Sequence, residues 1–113
     1  MSKKFKNEVV KGYNGTPIKI PVNEKETKEL NLESALWIVL NNSPIKTMND
    51  SIQGMRLAKA LDEAKDKDII EIEEGVHDWL KPLAEQVCPQ LFRVNGSLVY
   101  DLIKEGFIKP EAK

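Results

Sequence analysis

The feature that most constrains this chain is a one-sided apolar stripe between residues 72 and 87. Apolar residues recur there at intervals of three and four, the spacing of one face of an amphipathic helix. Other segments must cover such a face, so we expect the rest of the chain to pack around this helix. Truncation of Leu83 to alanine is expected to cost about 2–5 kcal/mol. The stripe consists of Val76, Trp79, Leu80, Leu83, Ala84 and Val87.

Two short runs near the N-terminus have the composition of β-strands. Residues 5–10 and 17–22 contain β-branched or aromatic residues, and Tyr13-Asn14-Gly15-Thr16 lies between them. Asn-Gly favours the positive φ angles of a two-residue turn. The sequence therefore predicts a β-hairpin over residues 5–22. A two-stranded ribbon is marginal alone, so it must lie on the helices, gain a further strand or be completed by a second subunit.

Capping signals predict the next two helices. Asn31 is the expected N-cap of a helix over residues 32–40. Thr47 begins a Thr-x-x-Asp capping box for a helix over about residues 48–66. The second helix contains several small residues. They either let another helix approach closely or form the base of a ligand cleft at Gly54. Its buried arc is expected to contain Gly54, Met55, Leu57, Ala58, Leu61 and Ala64.

The C-terminal half is expected to supply one strand and two more helices. Residues 69–72 should form a short strand before the stripe helix, which Cys88-Pro89 should end. Asn95 and Gly106 have the residue types of the N-cap and C′ positions of a last helix. The sequence thus predicts one α+β domain over residues 1–113, mostly α. Its parts are an N-terminal β-hairpin over 5–22 and about four helices over 31–106.

The first predicted helix is apolar on more than half of its circumference. Trp37 and Ile38 lie off the face formed by its other apolar residues. Such a helix is either central in the monomer or part of an oligomer contact. In the second case Trp37 and Ile38 are the interface residues of a homo-oligomer.

Charge and composition exclude several classes of partner. The formal net charge is −1, so an overall attraction to nucleic acid or to an anionic membrane is not expected. The longest apolar run, residues 35–40, is too short to span a bilayer, and no signal peptide is expected. Cys88 is the single cysteine, which favours a reducing, cytoplasmic location.

The side chains that carry most enzyme chemistry are scarce. His77 is the only histidine, and no second histidine or cysteine lies at zinc-ligand spacing from it. Its place beside the stripe predicts a half-exposed side chain. Cys88 has no matched histidine and is expected to be a small buried hydrophobe. We therefore predict no enzyme activity, no catalytic residue, no metal site and no cofactor.

The two arginines are the best candidates for ligand binding. Fifteen lysines accompany only Arg56 and Arg93, and guanidinium is the preferred fork for phosphate and carboxylate. Trp79 and Tyr100 could supply stacking faces. These four residues are the predicted lining of a ligand pocket.

The order of segments resembles the small accessory proteins of tailed bacteriophages and prophages. The resemblance implies a cytoplasmic, non-enzymatic protein that binds a host or phage protein, or that sequesters a nucleotide signal as counter-defence proteins do. It transfers no site residues. It is carried by the hairpin, the Leu/Ala-rich helix, Gly-Met-Arg-Leu-Ala-Lys (54–59), Ile-Glu-Ile-Glu-Glu (70–74), Trp-Leu-Lys (79–81) and Phe-Arg-Val-Asn-Gly-Ser-Leu-Val-Tyr-Asp-Leu-Ile (92–103).

Two functions therefore remain after the sequence analysis. The preferred one is a homo-oligomeric protein-interaction module, because apolar surface exceeds the needs of one small core. The alternative is a small-ligand binder that sequesters a nucleotide or cyclic nucleotide.

Overall fold

The computed structural model describes residues 2–12, 14–21, 24–65 and 67–105. The fold is α+β and mostly helical, as the sequence predicts. The elements in chain order are β1 (Ser2–Lys6), β2 (Lys19–Pro21), β3 (Thr27–Glu29), α1 (Leu32–Asn42), α2 (Met48–Glu63), β4 (Ile69–Glu73), α3 (Glu74–Phe92), a 3-10 turn (Arg93–Asn95) and α4 (Gly96–Glu105).

The expectation of about four separate helices needs correction. The described helical residues form three continuous stretches, 32–42, 48–63 and 74–105. Only the 3-10 turn separates α3 from α4, so these two segments follow each other without a loop. Asn95, the expected N-cap of the last helix, belongs to this turn. The expected cap at Gly106 lies outside the described residues.

The predicted N-terminal hairpin forms at its turn. The Gly12 N–H donates to the Thr16 carbonyl at 2.9 Å, and the Gly15 N–H donates to the Gly12 carbonyl at 2.9 Å. Lys11 lies opposite Pro17. Gly15 has φ 80°, so the loop between Gly12 and Thr16 closes over three residues instead of the predicted two. A left-handed glycine is the usual last residue of such a loop.

The strand pairing differs from the prediction. β1 pairs antiparallel with β4, with Phe5 opposite Ile70, and not with residues 17–22. β2 pairs instead with β3. Phe5 and Ile70 are cross-strand partners, and both are buried in the core together with Ile72. Burial of these side chains, which a local hairpin would not achieve, selects the distant partner.

Three backbone hydrogen bonds close the N-terminal segments into a ring. Val10 N–H donates to the Leu30 carbonyl at 2.7 Å, and Leu30 N–H donates to the Ile18 carbonyl at 2.7 Å. Ile18 N–H donates to the Val10 carbonyl at 3.0 Å. Val10 and Leu30 are fully buried, so their backbone groups need these partners. The short strands are therefore secured within one chain.

The predicted N-caps of α1 and α2 are confirmed. The Asn31 side chain accepts from the Ser34 N–H at 2.8 Å, and Thr47 forms a capping box with Asp50. The Asn7 side chain adds a second cap by accepting from the Glu33 N–H at 3.0 Å. These bonds satisfy N–H groups that a helix start leaves unpaired.

The stripe helix, α3, is the centre of the fold. It contacts α1, α2, α4 and both strands of the β1–β4 pair. Its buried face is rotated relative to the prediction, because α4 covers the side that carries His77 and Cys88. Trp79 and Leu83 are only half-buried. The buried residues of α3 are Val76, His77, Leu80, Ala84, Val87 and Cys88.

The predicted end of α3 at Pro89 is wrong. The helix continues through Pro89 to Phe92, since proline lacks a donor but has a helical φ angle. The chain reverses at Arg93, where φ is 55° and the backbone N–H donates to the Pro89 carbonyl. Gly96 then lies against the end of α3: a Cβ there would be 2.8 Å from the Cys88 carbonyl oxygen.

The two central leucines of α3 should differ in their contribution to stability. Leu80 is fully buried, whereas Leu83 is half-buried. We expect Leu80→Ala to lower the free energy of unfolding by about 2–5 kcal/mol. For Leu83→Ala the half-buried position reduces the expected loss from the roughly 2–5 kcal/mol of the sequence-based expectation to about 1 kcal/mol. Urea unfolding of the two variants measures the difference. Equal losses would contradict the observed orientation of α3.

Two glycine-to-alanine substitutions should change the stability of the protein in opposite directions. Gly96→Ala forces a methyl group against the α3 backbone and should destabilise the protein by about 1–3 kcal/mol. Gly75 is in the first turn of α3 with nothing within 4 Å of a built Cβ, so Gly75→Ala should stabilise by about 0.5–1 kcal/mol. Thermal unfolding checks both. A neutral Gly96→Ala would mean that α3 and α4 are not in close contact.

Candidate functional site

Arg56 lines a groove between α2 and β4 with a volume of about 450 Å³. Lys59 and Glu63 also line the α2 side, and Glu71 and Glu73 line the β4 side. The Arg56 Nη1 atom lies 3.9 Å from Glu73 Oε1, and both side chains are exposed. Two cations thus share the groove with three carboxylates. This charge balance does not favour a phosphate-bearing ligand.

Arg93 occupies a different region, the reversal between α3 and α4. It lines a shallow depression together with Pro89, Gln90 and Val94. Neither the groove at Arg56 nor this depression is lined by Trp79 or Tyr100. The two arginines are therefore not brought into one pocket with the predicted stacking residues.

Trp79 connects α3 to the start of α2. Its Nε1–H donates to Asp50 Oδ1 at 3.0 Å, while Asp50 Oδ2 accepts from the backbone N–H groups of Lys46 and Thr47. The bond from Trp79 and then that from Lys46 hold the pKa of the Asp50 carboxyl below its usual value. In this arrangement Trp79 positions two helices.

Gly54 faces the same contact between helices. A Cβ built on Gly54 would lie 3.5 Å from Leu40, 3.7 Å from Ile45 and 3.7 Å from Trp79. These side chains fill the space in front of the glycine. Of the two interpretations of this position, close packing is favoured over an open ligand cleft.

Tyr100, Trp37 and Ile38 are half-buried and pack against the core. The Lys104 Nζ atom lies 5.6 Å from the centroid of the Tyr100 ring. Trp37 donates from Nε1 to Glu33 Oε2 at 3.3 Å along α1. The second apolar side of α1 is thus partly covered within the monomer.

The largest exposed apolar residues of α2 lie on a face that the sequence analysis missed. Met48, Ile52 and Met55 retain 75%, 40% and 65% of their accessible surface. At about 100° per residue they span about 60° of the helix circumference, opposite the buried Leu57 and Leu61. We call these three residues the outward face of α2.

The expected burial of Met55 is therefore wrong. The buried arc of α2 is centred on Leu57 and Leu61, and Met55 lies on the other side of the helix from them. The apolar spacing of residues 48, 52 and 55, at intervals of four and three, is the sequence signal that would have found this face.

His77 is fully buried, which corrects the expected half-exposed position. Its Nε2 atom lies 2.8 Å from the Ile103 carbonyl oxygen in the last turn of α4. A carbonyl only accepts, so Nε2 carries the proton. Nδ1 is buried with no hydrogen-bond partner, and the Phe5 ring packs with its centroid 5.2 Å from that of the imidazole.

The surroundings of His77 disfavour its charged form. Burial lowers the pKa of the imidazole below its usual value, and the charges of Lys3 and Lys81 add to this effect. The hydrogen bond to Ile103 and the charge of Asp78 act in the opposite direction. The ring is therefore held neutral at physiological pH.

Cys88 is buried, as predicted. Burial raises the pKa of its thiol to about 11, so the reactive thiolate is scarce at neutral pH. Among the residues that the structure describes, no three His, Cys, Asp or Glu side chains are grouped to hold a metal ion. No helix within those residues is long and apolar enough to cross a membrane.

Comparison of the chain with models of protein families, with curated proteins and with solved structures gives no match.

Stability should fall when the pH is lowered below about 6.5, the ordinary pKa of histidine. Below that pH the unfolded chain binds a proton at His77 that the folded chain does not, because the folded-state pKa is lower. The slope for one histidine is at most about 1.4 kcal/mol per pH unit, the value for one proton bound by the unfolded chain alone. Urea unfolding between about pH 5.5 and pH 7.5 isolates this residue, since no other histidine titrates there.

His77→Gln is the matched control for this experiment. Its amide can still donate to the Ile103 carbonyl, but it cannot titrate, so the pH slope should disappear. An equal slope in both proteins would assign the pH dependence to another group.

Proposed function

We propose that this chain is a non-catalytic protein-interaction module that binds another protein chain through the outward face of α2. The observation that carries the proposal is the exposure of Met48, Ile52 and Met55 on one stripe of a well-capped helix. Single exposed apolar residues are ordinary, whereas a continuous apolar stripe is typical of a contact surface.

The residue types on this face suit protein binding. Methionine is unbranched and flexible, so it adapts to irregular partner surfaces. Burial of a side chain such as Met55 stabilises a complex by about 1.5–3 kcal/mol. The opposite side of α2 is already anchored in the core by Leu57 and Leu61, so a partner meets a fixed helix.

The positions of His77 and Cys88 support a non-catalytic function. Both side chains are fully buried, so a substrate in solution cannot reach them. The Cys88 thiol is in addition held in its protonated, weakly nucleophilic form.

The alternative, sequestration of a nucleotide, has less support. Arg56 lies among three glutamates, and Arg93 lies in a separate depression. Neither the groove at Arg56 nor the depression at Arg93 is lined by Trp79 or Tyr100. The proposed setting, the cytoplasm of a bacterium that carries a phage or prophage, is supported by the resemblance of the sequence segments alone.

Capture experiments with surface variants test the proposal. The immobilised protein is incubated with bacterial lysate that also contains the free chain. We expect stoichiometric retention of one protein chain, whether a second copy or a different protein. Retention should fall at least about tenfold in Ile52→Lys/Met55→Lys, because two charges then enter an apolar contact.

Val94→Lys is the matched control, because Val94 is 77% exposed at the distant α3–α4 reversal. Circular dichroism verifies that each variant is folded. Equal retention by all three proteins, or no retention by the wild type, would refute the proposal. A nucleotide that raises the melting temperature of the wild type by several degrees would instead support the sequestration alternative. In that case Arg56→Ala or Arg93→Ala should abolish the rise.

A further inference from the structure

The outward face of α2 continues towards the end of the helix as a five-residue seam. The intervals between successive residues are four, three, four and three, which is the spacing of the contact line between two packed helices. All five side chains are exposed. The seam consists of Met48, Ile52, Met55, Lys59 and Asp62.

The first four residues of the seam have a palindromic spacing. Their intervals, four, three and four, are the same in both directions, with the midpoint between residues 53 and 54. A two-fold axis through that midpoint would place Ile52 against Met55 of a second copy. It would also place Met48 against Lys59 of the second copy, whose alkyl stem covers apolar surface while its ammonium group reaches water.

We infer, building on the function proposed above, that the partner of the outward face is a second copy of this chain, with the two α2 helices antiparallel about a two-fold axis. An isologous contact of this kind requires a self-complementary surface, and the palindromic seam supplies one.

The charges along the seam select the antiparallel orientation. Lys46 immediately precedes the N-cap of α2, so the antiparallel pair places it at the same end of the contact as Asp62 of the second copy, and both side chains are exposed. A parallel pair would place Lys59 beside Lys59 and Asp62 beside Asp62, which is repulsive. Antiparallel helices also align opposite ends of their dipoles.

The available area sets the strength of the dimer. The three apolar residues expose on the order of 300–400 Å² per copy, the size of a large patch on a small monomer. The two copies together offer about 600–800 Å² of apolar surface, so the polar residues that flank the seam must supply the rest of the roughly 1,200 Å² that a specific interface buries. We therefore expect a dissociation constant in the micromolar range and a concentration-dependent dimer.

Sedimentation equilibrium of the full chain from about 1 to 300 µM measures the association over the range in which a micromolar dimer dissociates. The wild type should change from monomer to dimer within this range. Met55→Lys should raise the dissociation constant at least about tenfold, because it introduces two charges beside the two-fold axis. Val94→Lys should leave the constant unchanged.

A charge exchange tests the register. Lys46→Glu and Asp62→Lys should each weaken the dimer by about 3- to 10-fold, since each alters two symmetry-related exposed pairs. The double variant restores opposite charges across the axis and should return to within about twofold of the wild type. Thermal unfolding of each variant verifies that the monomer fold is unchanged.

The outcomes separate this inference from the proposed function. A wild-type monomer at the highest concentration would overturn the homodimer, whereas loss of a captured different protein in Ile52→Lys/Met55→Lys would leave the proposed function standing. A dimer that persists in Met55→Lys would assign dimerisation to another surface. Failure of the double variant to recover would overturn the antiparallel register.

Discussion

The structure depends on the complete coverage of one face of α3. That face is buried from Val76 to Cys88, and the packing of such a face supplies most of the stability of a helix within a protein. α4 makes the closest approach, because Gly96 brings its first turn onto the α3 backbone at Cys88 and Pro89. At the other end His77 donates to the Ile103 carbonyl. Contacts at both ends thus fix α4 along α3, and the remaining elements pack on the sides that stay free.

The N-terminal third follows a different physical rule, the satisfaction of buried backbone groups. Segments as short as β2 and β3 bury little side-chain surface, so hydrogen bonds must hold them in place. The ring through Val10, Ile18 and Leu30 supplies these bonds, and the side chains of Asn7 and Asn31 cap α1 where the chain leaves the ring. The strands need no second subunit to complete them. This removes one of the two reasons that the sequence offered for an oligomer. The other, the second apolar side of α1, is weakened because Trp37 and Ile38 pack partly against the core. The exposed face of α2 is a reason that the structure supplies.

α2 links the fold to the proposed function because it is apolar on two opposite sides. Leu57 and Leu61 join the core, and the Thr47–Asp50 capping box fixes the start of the helix. The bond from Trp79 to Asp50 ties that start to α3. The outward face is consequently displayed on a rigid helix, which reduces the entropy lost when a partner binds. In the proposed function, this surface gives specificity through its shape and charge.

Local signals in the sequence determined much of the fold. The caps at Asn31 and Thr47, the turn at Gly15 and the strand before α3 all depend on residues within a few positions of one another, so sequence spacing suffices to predict them. The pairing of β1 with β4 depends instead on contacts across more than sixty residues, such as Phe5 with Ile70, and no local pattern specifies it. The same applies to the passage of α3 through Pro89 and to the burial of His77, since only the packing of α4 makes those conformations favourable. The candidate site was the least predictable part. The residue types of Arg56, Arg93, Trp79 and Tyr100 suggested one pocket, but the tertiary structure separates them. α2 has two apolar sides, and the sequence alone does not decide which of them packs against the core. Tertiary packing buries the side of Leu57 and Leu61, and Met55 is therefore exposed.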